Sequence, residues 1–166
     1  MQEKDITITR TLDELAITYT RFEHPPVYTM TDCTQYDNLA GINTTHCKNL
    51  FLCNRQVTEF FLLLIREDKK FRTAELSSQI GKSRLSFGKN EQLSEYLNVE
   101  PGAISPLGLL FDKGNAVTLL VDRDLCSAEK LCFHPNINTA SIVMSMADFF
   151  GKFLPFTAHE PVFVTL

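Results

Sequence analysis

Long hydrophobic runs are missing from this sequence. The longest, residues 60–65 (FFLLLI), is far too short to cross a bilayer. The first ten residues, MQEKDITITR, are charged where a secretory leader would be greasy, so a cytoplasmic location is expected. Paired cysteines are missing too. The five cysteines are odd in number and show no C-x-x-C spacing, which excludes the framework of a secreted disulfide scaffold and leaves reduced thiols. Cys47 and Cys53 repeat the spacing of Cys126 and Cys132, with His46 and His134 close by. Structural zinc ligands come as closer pairs on a turn, however, so buried cysteine acting as a small hydrophobe is the better account, and no metal is expected. An excess of positive charge is also absent. With 16 basic against 20 acidic residues the formal charge is −4, which argues against a nonspecific nucleic-acid binder relying on a broad basic surface. No repeat, linker or low-complexity tract interrupts the chain.

What is present suits one compact domain over residues 1–166: hydrophobic residues make up 44% of the chain, enough for a full-sized core without disulfides or metal. Charge is unevenly placed. Residues 66–89 carry seven basic residues (Arg66, Lys69, Lys70, Arg72, Lys82, Arg84, Lys89) and three acidic ones (Glu67, Asp68, Glu75), so a polyanion is expected to meet this segment if it meets any.

Hydrophobic spacing predicts the elements. Ile8, Leu12 and Leu15 fit a short amphipathic helix, and residues 17–22 alternate as a strand that ends at the stiff pair Pro25-Pro26. Thr29 and Asp32 form a capping pattern for a brief helix through about Tyr36. Residues 47–54 and 59–65 read as a hairpin of two largely buried strands at the centre of the sheet. Residues 73–80 read as a helix stopped by Gly81, 85–87 as a short strand and 91–97 as another helix. Residues 107–111 are expected to be extended and to turn through Asp112-Lys113-Gly114-Asn115 into a return strand, 116–121. Two strands, 131–133 and 141–144, precede a last helix from Met146 to about Leu154, capped by Ser145 and Asp148. The class is α/β (α+β): one mixed, curved central sheet with helices packed around it.

Three places carry candidate chemistry. Lys48 stands just ahead of the apolar stretch 50–52, where an ammonium is costly without a partner, which suggests an anionic ligand or developing negative charge. Pro101-Gly102-Ala103-Ile104-Ser105-Pro106 is a stiff loop in which glycine permits close approach of backbone to a ligand and successive amides can point at one oxygen. Phe133-His134-Pro135-Asn136-Ile137-Asn138-Thr139 leaves a strand and offers an imidazole, amides and a hydroxyl. Arg84, in Ser83-Arg84-Leu85-Ser86-Phe87, suits either a phosphate contact or an internal ion pair. Cys47 and His46 are adjacent in a strand and point to opposite faces, so they do not make a thiol–imidazole pair.

H-C-K-N-L-F-L at 46–52, S-R-L-S-F at 83–87, G-x-x-x-P at 102–106 and F-H-P-N-I-N-T-A at 133–140 occur in one order. In that order the chain resembles the YbaK/ProX family, free-standing relatives of the insertion editing domain of bacterial prolyl-tRNA synthetase. The likeness is nearest to the ProX/PrdX branch that hydrolyses alanyl-tRNA(Pro), and it runs from about Leu12 to His159. The resemblance implies that Lys48, Gly102 and His134 form the catalytic site, with Lys48 at the scissile ester and the loop amides positioning its carbonyl and the attacking water. It further implies substrate contacts from Thr29, Met30, Asn49, Arg84, Ser105 and Pro106. Thr29 and Met30 would shape the amino-acid pocket, and the terminal ribose 2′-hydroxyl would assist the attack. No cofactor is implied. The partner would be the aminoacylated 3′ end of tRNA(Pro), with prolyl-tRNA synthetase or an elongation factor met transiently, no membrane, and a monomer or weak homodimer. A deacylase for cysteinyl or seryl esters and a non-catalytic tRNA-binding accessory of a synthetase are the alternatives.

Overall fold

The computed structural model describes residues 1–29, 32, 33, 35, 41 and 44–166. Its architecture follows from the FFLLLI run. In β3, Phe60–Arg66, every residue but the last is buried. Successive side chains point to opposite faces, so Leu62 and Leu64 enter one core while Phe61, Leu63 and Ile65 enter another. A strand that feeds two cores belongs in the middle of a sheet. β2, Cys47–Cys53, pairs antiparallel with β3 along its whole length, Cys47 opposite Arg66 and Cys53 opposite Phe60. β5, Val117–Asp122, runs parallel on the other side of β3. Short strands β4, Ser86–Phe87, and β8, Val162–Val164, close the edges in the order β4-β2-β3-β5-β8.

A second, antiparallel sheet has β1, Tyr19–Glu23, and β6, Lys130–Phe133, on either side of β7, Ala140–Ser145. The main core lies between the two sheets and takes Cys47, Phe51, Leu62 and Leu64 from one, and Leu131, Phe133, Ile142 and Met144 from the other. Among the described residues the sheets meet in backbone pairing at one parallel bridge, Thr45 to Leu131. The expected α/β class and mixed pairing are present; the strands divide between two sheets.

The helices cover these layers. α1, Glu3–Glu14, buries Ile8 and Leu12 and is pinned to β1 by a two-pronged contact of Arg21 with the fully buried Asp5 (Nη2 to Oδ2 2.7 Å, Nε to Oδ1 3.2 Å). α2, Thr73–Ile80, lays Leu76 on the second core and ends at Gly81, whose φ of 68° is the left-handed stop that glycine adopts freely. α3, Asn90–Leu97, buries Leu93 and Leu97. At the C-terminal end, Ser145 Oγ accepts from the Asp148 amide at 3.1 Å and opens α4, Met146–Asp148. The helix then passes through a π-turn, Phe149–Phe153, into α5, Leu154–Thr157. Thr29 and Asp32 make the expected reciprocal cap, each amide donating to the other's side chain at 3.2 Å. The stretch beyond, to Tyr36, lies largely outside the described residues.

One expectation fails. Residues 107–111 are not extended; Pro106–Phe111 is a 3₁₀ turn, so Asp112 closes no hairpin. An all-apolar run has no period to separate strand from helix, and the local chemistry decides here: Ser105 Oγ accepts from the Leu107 amide at 3.1 Å and Pro106 takes the first helical position. Asp112 instead accepts from the amides of Ala116 (2.9 Å) and Val117 (2.8 Å), which starts β5. β1 begins two residues later than expected, and β8 was not expected at all.

Candidate active site

A cavity of about 240 Å³ opens where β2, the Gly102 loop and the end of β6 converge. Its lining includes Thr29, Lys48, Asn49, Gly102 and His134, so five of the residues singled out in the sequence come together in space. The way β2 is paired explains how Lys48 and Asn49 both reach it. β4 pairs only with Leu52 and Cys53, and Gly88 adds one bond to the Phe51 carbonyl, which leaves the stretch from Lys48 to Leu50 with an open edge among the described residues. The cavity wraps that edge, so neighbours that point to opposite faces both line it.

Lys48 is half-buried, and its ammonium donates to the backbone carbonyl of Lys69. Asn49 Nδ2 donates to the Ile104 carbonyl at 3.1 Å, which ties the Gly102 loop to β2. That loop is a tight turn: the Ala103 amide reaches the Glu100 carbonyl at 3.1 Å, Pro101 occupies the second position and Gly102, at φ 88°, the third. This is a type II turn, in which the third position requires positive φ. A Cβ built on Gly102 would meet no atom within 4 Å, so conformation and not space demands glycine. The amides of Gly102 and Ile104, both cavity residues, find no protein acceptor among the described residues.

His134 Nδ1 lies 3.0 Å from the Ala140 carbonyl. A carbonyl only accepts, so Nδ1 carries the proton, and in the neutral ring Nε2 is the acceptor. His24 packs 6.0 Å from His134 between ring centroids and contacts Ser141 Oγ at 2.9 Å, while Ser141 lines the cavity. No carboxylate is among the described lining residues, and Lys48 is the cationic side chain among them. Burial pushes the Cys47 thiol up to about 12, with the charge of Glu67 adding to the shift. A thiol in that state is protonated at neutral pH and is no nucleophile.

The remaining expected residues fall elsewhere. Ser105 is fully buried, and with Pro106 it starts the 3₁₀ turn behind the loop; both fix the loop from beneath and neither lines the cavity. Arg84 is exposed on the approach to β4, at φ 48°, and does not line the cavity either. Met30 lies outside the described residues. His46, Cys132 and Ser141 line the cavity and were not anticipated as site residues. The strand-end positions of His46 and Cys132, beside Lys48 and His134, were the available signal. Part of the basic segment 66–89 is paired within the chain: Arg66 with Asp68, Lys69 with Asp122 and Asp124, Lys82 with Glu59.

The model of the aminoacyl-tRNA editing domain matches residues 24–151, a span that contains every described wall of this cavity. The chain belongs to the aminoacyl-tRNA editing domain family. This editing domain is 35% identical over 148 residues to the prolyl-tRNA editing protein ProX of Acetoanaerobium sticklandii, covering 89% of this chain and 88% of that one. It is 33% identical over 157 residues to the prolyl-tRNA synthetase associated domain-containing protein 1 of Danio rerio, covering 93% and 83% of the two chains. A crystal structure of a candidate trans-editing enzyme for prolyl-tRNA synthetase superposes with a TM-score of 0.72 over 100% of this chain and 99% of that one; at 13% identity that likeness shows the fold alone. Among the described residues, no cluster of three or more His, Cys, Asp or Glu side chains could hold a metal ion, and no helix is long and apolar enough to cross a membrane.

Proposed function

We propose that this editing domain is a trans-editing deacylase that hydrolyses the ester of mischarged aminoacyl-tRNA(Pro), with alanyl-tRNA(Pro) as its substrate. One observation carries the reading: Lys48, two unengaged amides at Gly102 and Ile104, and His134 surround a single cavity with no carboxylate among its described walls. An aminoacyl ester is already activated, so orienting water and stabilising the oxyanion suffices. Water adds to the ester carbonyl and gives up a proton, and negative charge gathers on the carbonyl oxygen. As that charge collapses the bond to the terminal ribose oxygen breaks, the ribose oxygen taking up the proton as the free amino acid departs. In this reading Lys48 and the Gly102 and Ile104 amides meet the developing oxyanion, and His134 orients the substrate. The protonated Cys47 thiol takes no part in the bond changes. Thr29, with Met30 beside it, bounds the amino-acid end, where a side chain larger than alanine is refused by size.

The whole chain, residues 1–166, acts as one cytoplasmic domain on the 3′ end of tRNA(Pro), meeting prolyl-tRNA synthetase or an elongation factor transiently. The test is deacylation of tRNA(Pro) charged in turn with alanine, serine, cysteine and proline, by wild type and Lys48→Ala in parallel. Lys48-dependent hydrolysis of the alanyl ester, with the prolyl ester spared, is the expected result. Preference for the seryl or cysteinyl ester would reassign the substrate, and binding of tRNA without hydrolysis of any ester would overturn the enzyme reading.

A further inference from the structure

Lys48 is not placed by β2 alone. Its partner, the Lys69 carbonyl, belongs to the turn that leaves β3, whose Ile65 lies directly opposite Lys48 in the ladder. That turn is held in three ways. The Lys69 amide donates to the Arg66 carbonyl at 3.2 Å. The Arg66 guanidinium grips Asp68 with two bonds, 3.0 Å from Nε and 2.7 Å from Nη2. The Lys69 side chain then runs back into the protein, where Nζ lies 2.6 Å from Asp122 Oδ2, 2.5 Å from Asp124 Oδ2 and 2.6 Å from the Leu166 carbonyl. Asp122 is fully buried at the end of β5. Burial works against the charge on Lys69, but the hydrogen bonds to Asp122 and Asp124 outweigh it and raise the amine above its usual value, so this anchor is charged at neutral pH.

A residue expected from sequence to face a polyanion is therefore an internal strut. We infer that Lys69, through its ion pair with buried Asp122, is a positioning residue that fixes the Lys69 carbonyl and so aims the Lys48 ammonium into the cavity. An ammonium has three donors. One is committed to the Lys69 carbonyl, which defines the cone in which the other two point. Without that acceptor the four-carbon stem of Lys48 is free to sample several rotamers, and its charge leaves the position where the oxyanion forms.

The activity readout rests on the editing reading above, so the test pairs it with one that does not. Lys69→Met removes the ammonium and keeps the stem. Trace acetylation of folded protein with acetic anhydride, followed peptide by peptide, reports the reactivity of the Lys48 amine whether or not the protein is a deacylase. Freeing the amine from the Lys69 carbonyl exposes it to the reagent and should raise Lys48 acetylation about tenfold in Lys69→Met. Deacylation of alanyl-tRNA(Pro) should show kcat reduced about tenfold at little-changed KM. Lys69→Met should add no further loss in a Lys48→Ala background. Lys69→Arg, which can still pair with Asp122, should retain most of the activity. Unchanged Lys48 acetylation and kcat in a folded Lys69→Met protein would overturn the inference, as would losses that multiply in the double variant. Raised acetylation with no deacylation even by wild type would leave the positioning role standing and sink the editing reading. Should Lys69→Met not fold, Asp122→Asn, which weakens the same ion pair, is read by the same assays against the same outcomes.

Discussion

β2 and β3 are partners of equal length, paired residue for residue, yet they do opposite work. β3 buries six successive side chains and sends them into two cores. β2 begins and ends buried, but Lys48, Asn49 and Leu50 in its first half are only partly covered, and all three line the cavity. The difference is one of neighbours. β3 has a strand on each side, whereas β2 has β4 only beside its last residues. A site has formed where the sheet stops covering its own edge, and the polar residues of β2 stand where no packing is given up to hold them.

Separation of these roles can be tested, and the largest effect should come from the wall. Lys48→Ala should lower kcat/KM for alanyl-tRNA(Pro) by roughly 10²–10³-fold, the scale of losing one oxyanion contact, with little change in melting temperature; His134→Ala, removing an orienting group, should cost less. Next is the core strand. Leu63, fully buried, should cost about 2–5 kcal/mol of unfolding free energy as Leu63→Ala, read by urea titration, while the folded fraction keeps near-normal turnover. If Leu63→Ala instead abolished catalysis in folded protein, the division of labour between the strands would be wrong. Asn49→Ala should fall between the two kinds. It releases the Ile104 carbonyl and loosens the Gly102 loop, for a stability loss of about 1 kcal/mol and a drop in activity of about tenfold.

A further effect concerns pH and leaves turnover at neutral pH untouched. The folded protein holds the Cys47 proton up to about 12, whereas an unfolded thiol releases it near 9.0, so unfolding releases a proton between those values. The stability tied to this group is complete below pH 9 and is lost as pH rises toward 12. At pH 10.5 the loss should be about 2 kcal/mol relative to pH 8, and Cys47→Ala should show a shallower decline in its urea midpoint. Equal declines in the two proteins would remove Cys47 from the account.

Much of this was legible in the chain because periodicity and punctuation agreed. The hairpin of β2 and β3, the helix stopped by Gly81 and the Ser145 cap were read from residues that act locally. Lys48 stood out for a local reason too, a charge set against an apolar run. What escaped depended on tertiary context. Residues 107–111 are apolar on every side, so the 3₁₀ turn was hidden except for Ser105-Pro106 ahead of it. β8 is three residues long and is defined by its parallel partner β5. Lys69 looked like its basic neighbours, since nothing adjacent in sequence announces Asp122, fifty-three residues away. Ser105 and Arg84 carried motif signals, yet the first is buried under the loop and the second is exposed and does not line the cavity.

The Thr45–Leu131 bridge makes the cavity a seam between two rigid plates. Lys48 rides on a plate stiffened by the full β2–β3 ladder, and His134 extends from one stiffened by β1, β7 and β6. Bending either plate breaks several backbone bonds at once. Among the described residues, rocking one plate against the other strains in backbone pairing only the two bonds at Thr45, from its amide to the Lys130 carbonyl (3.3 Å) and from the Cys132 amide to its own carbonyl (3.4 Å). Among the described residues, Thr45 is therefore the backbone hinge point between the plate that carries Lys48 and the plate that carries His134, and the shared core packed between the plates holds the gap that the cavity occupies.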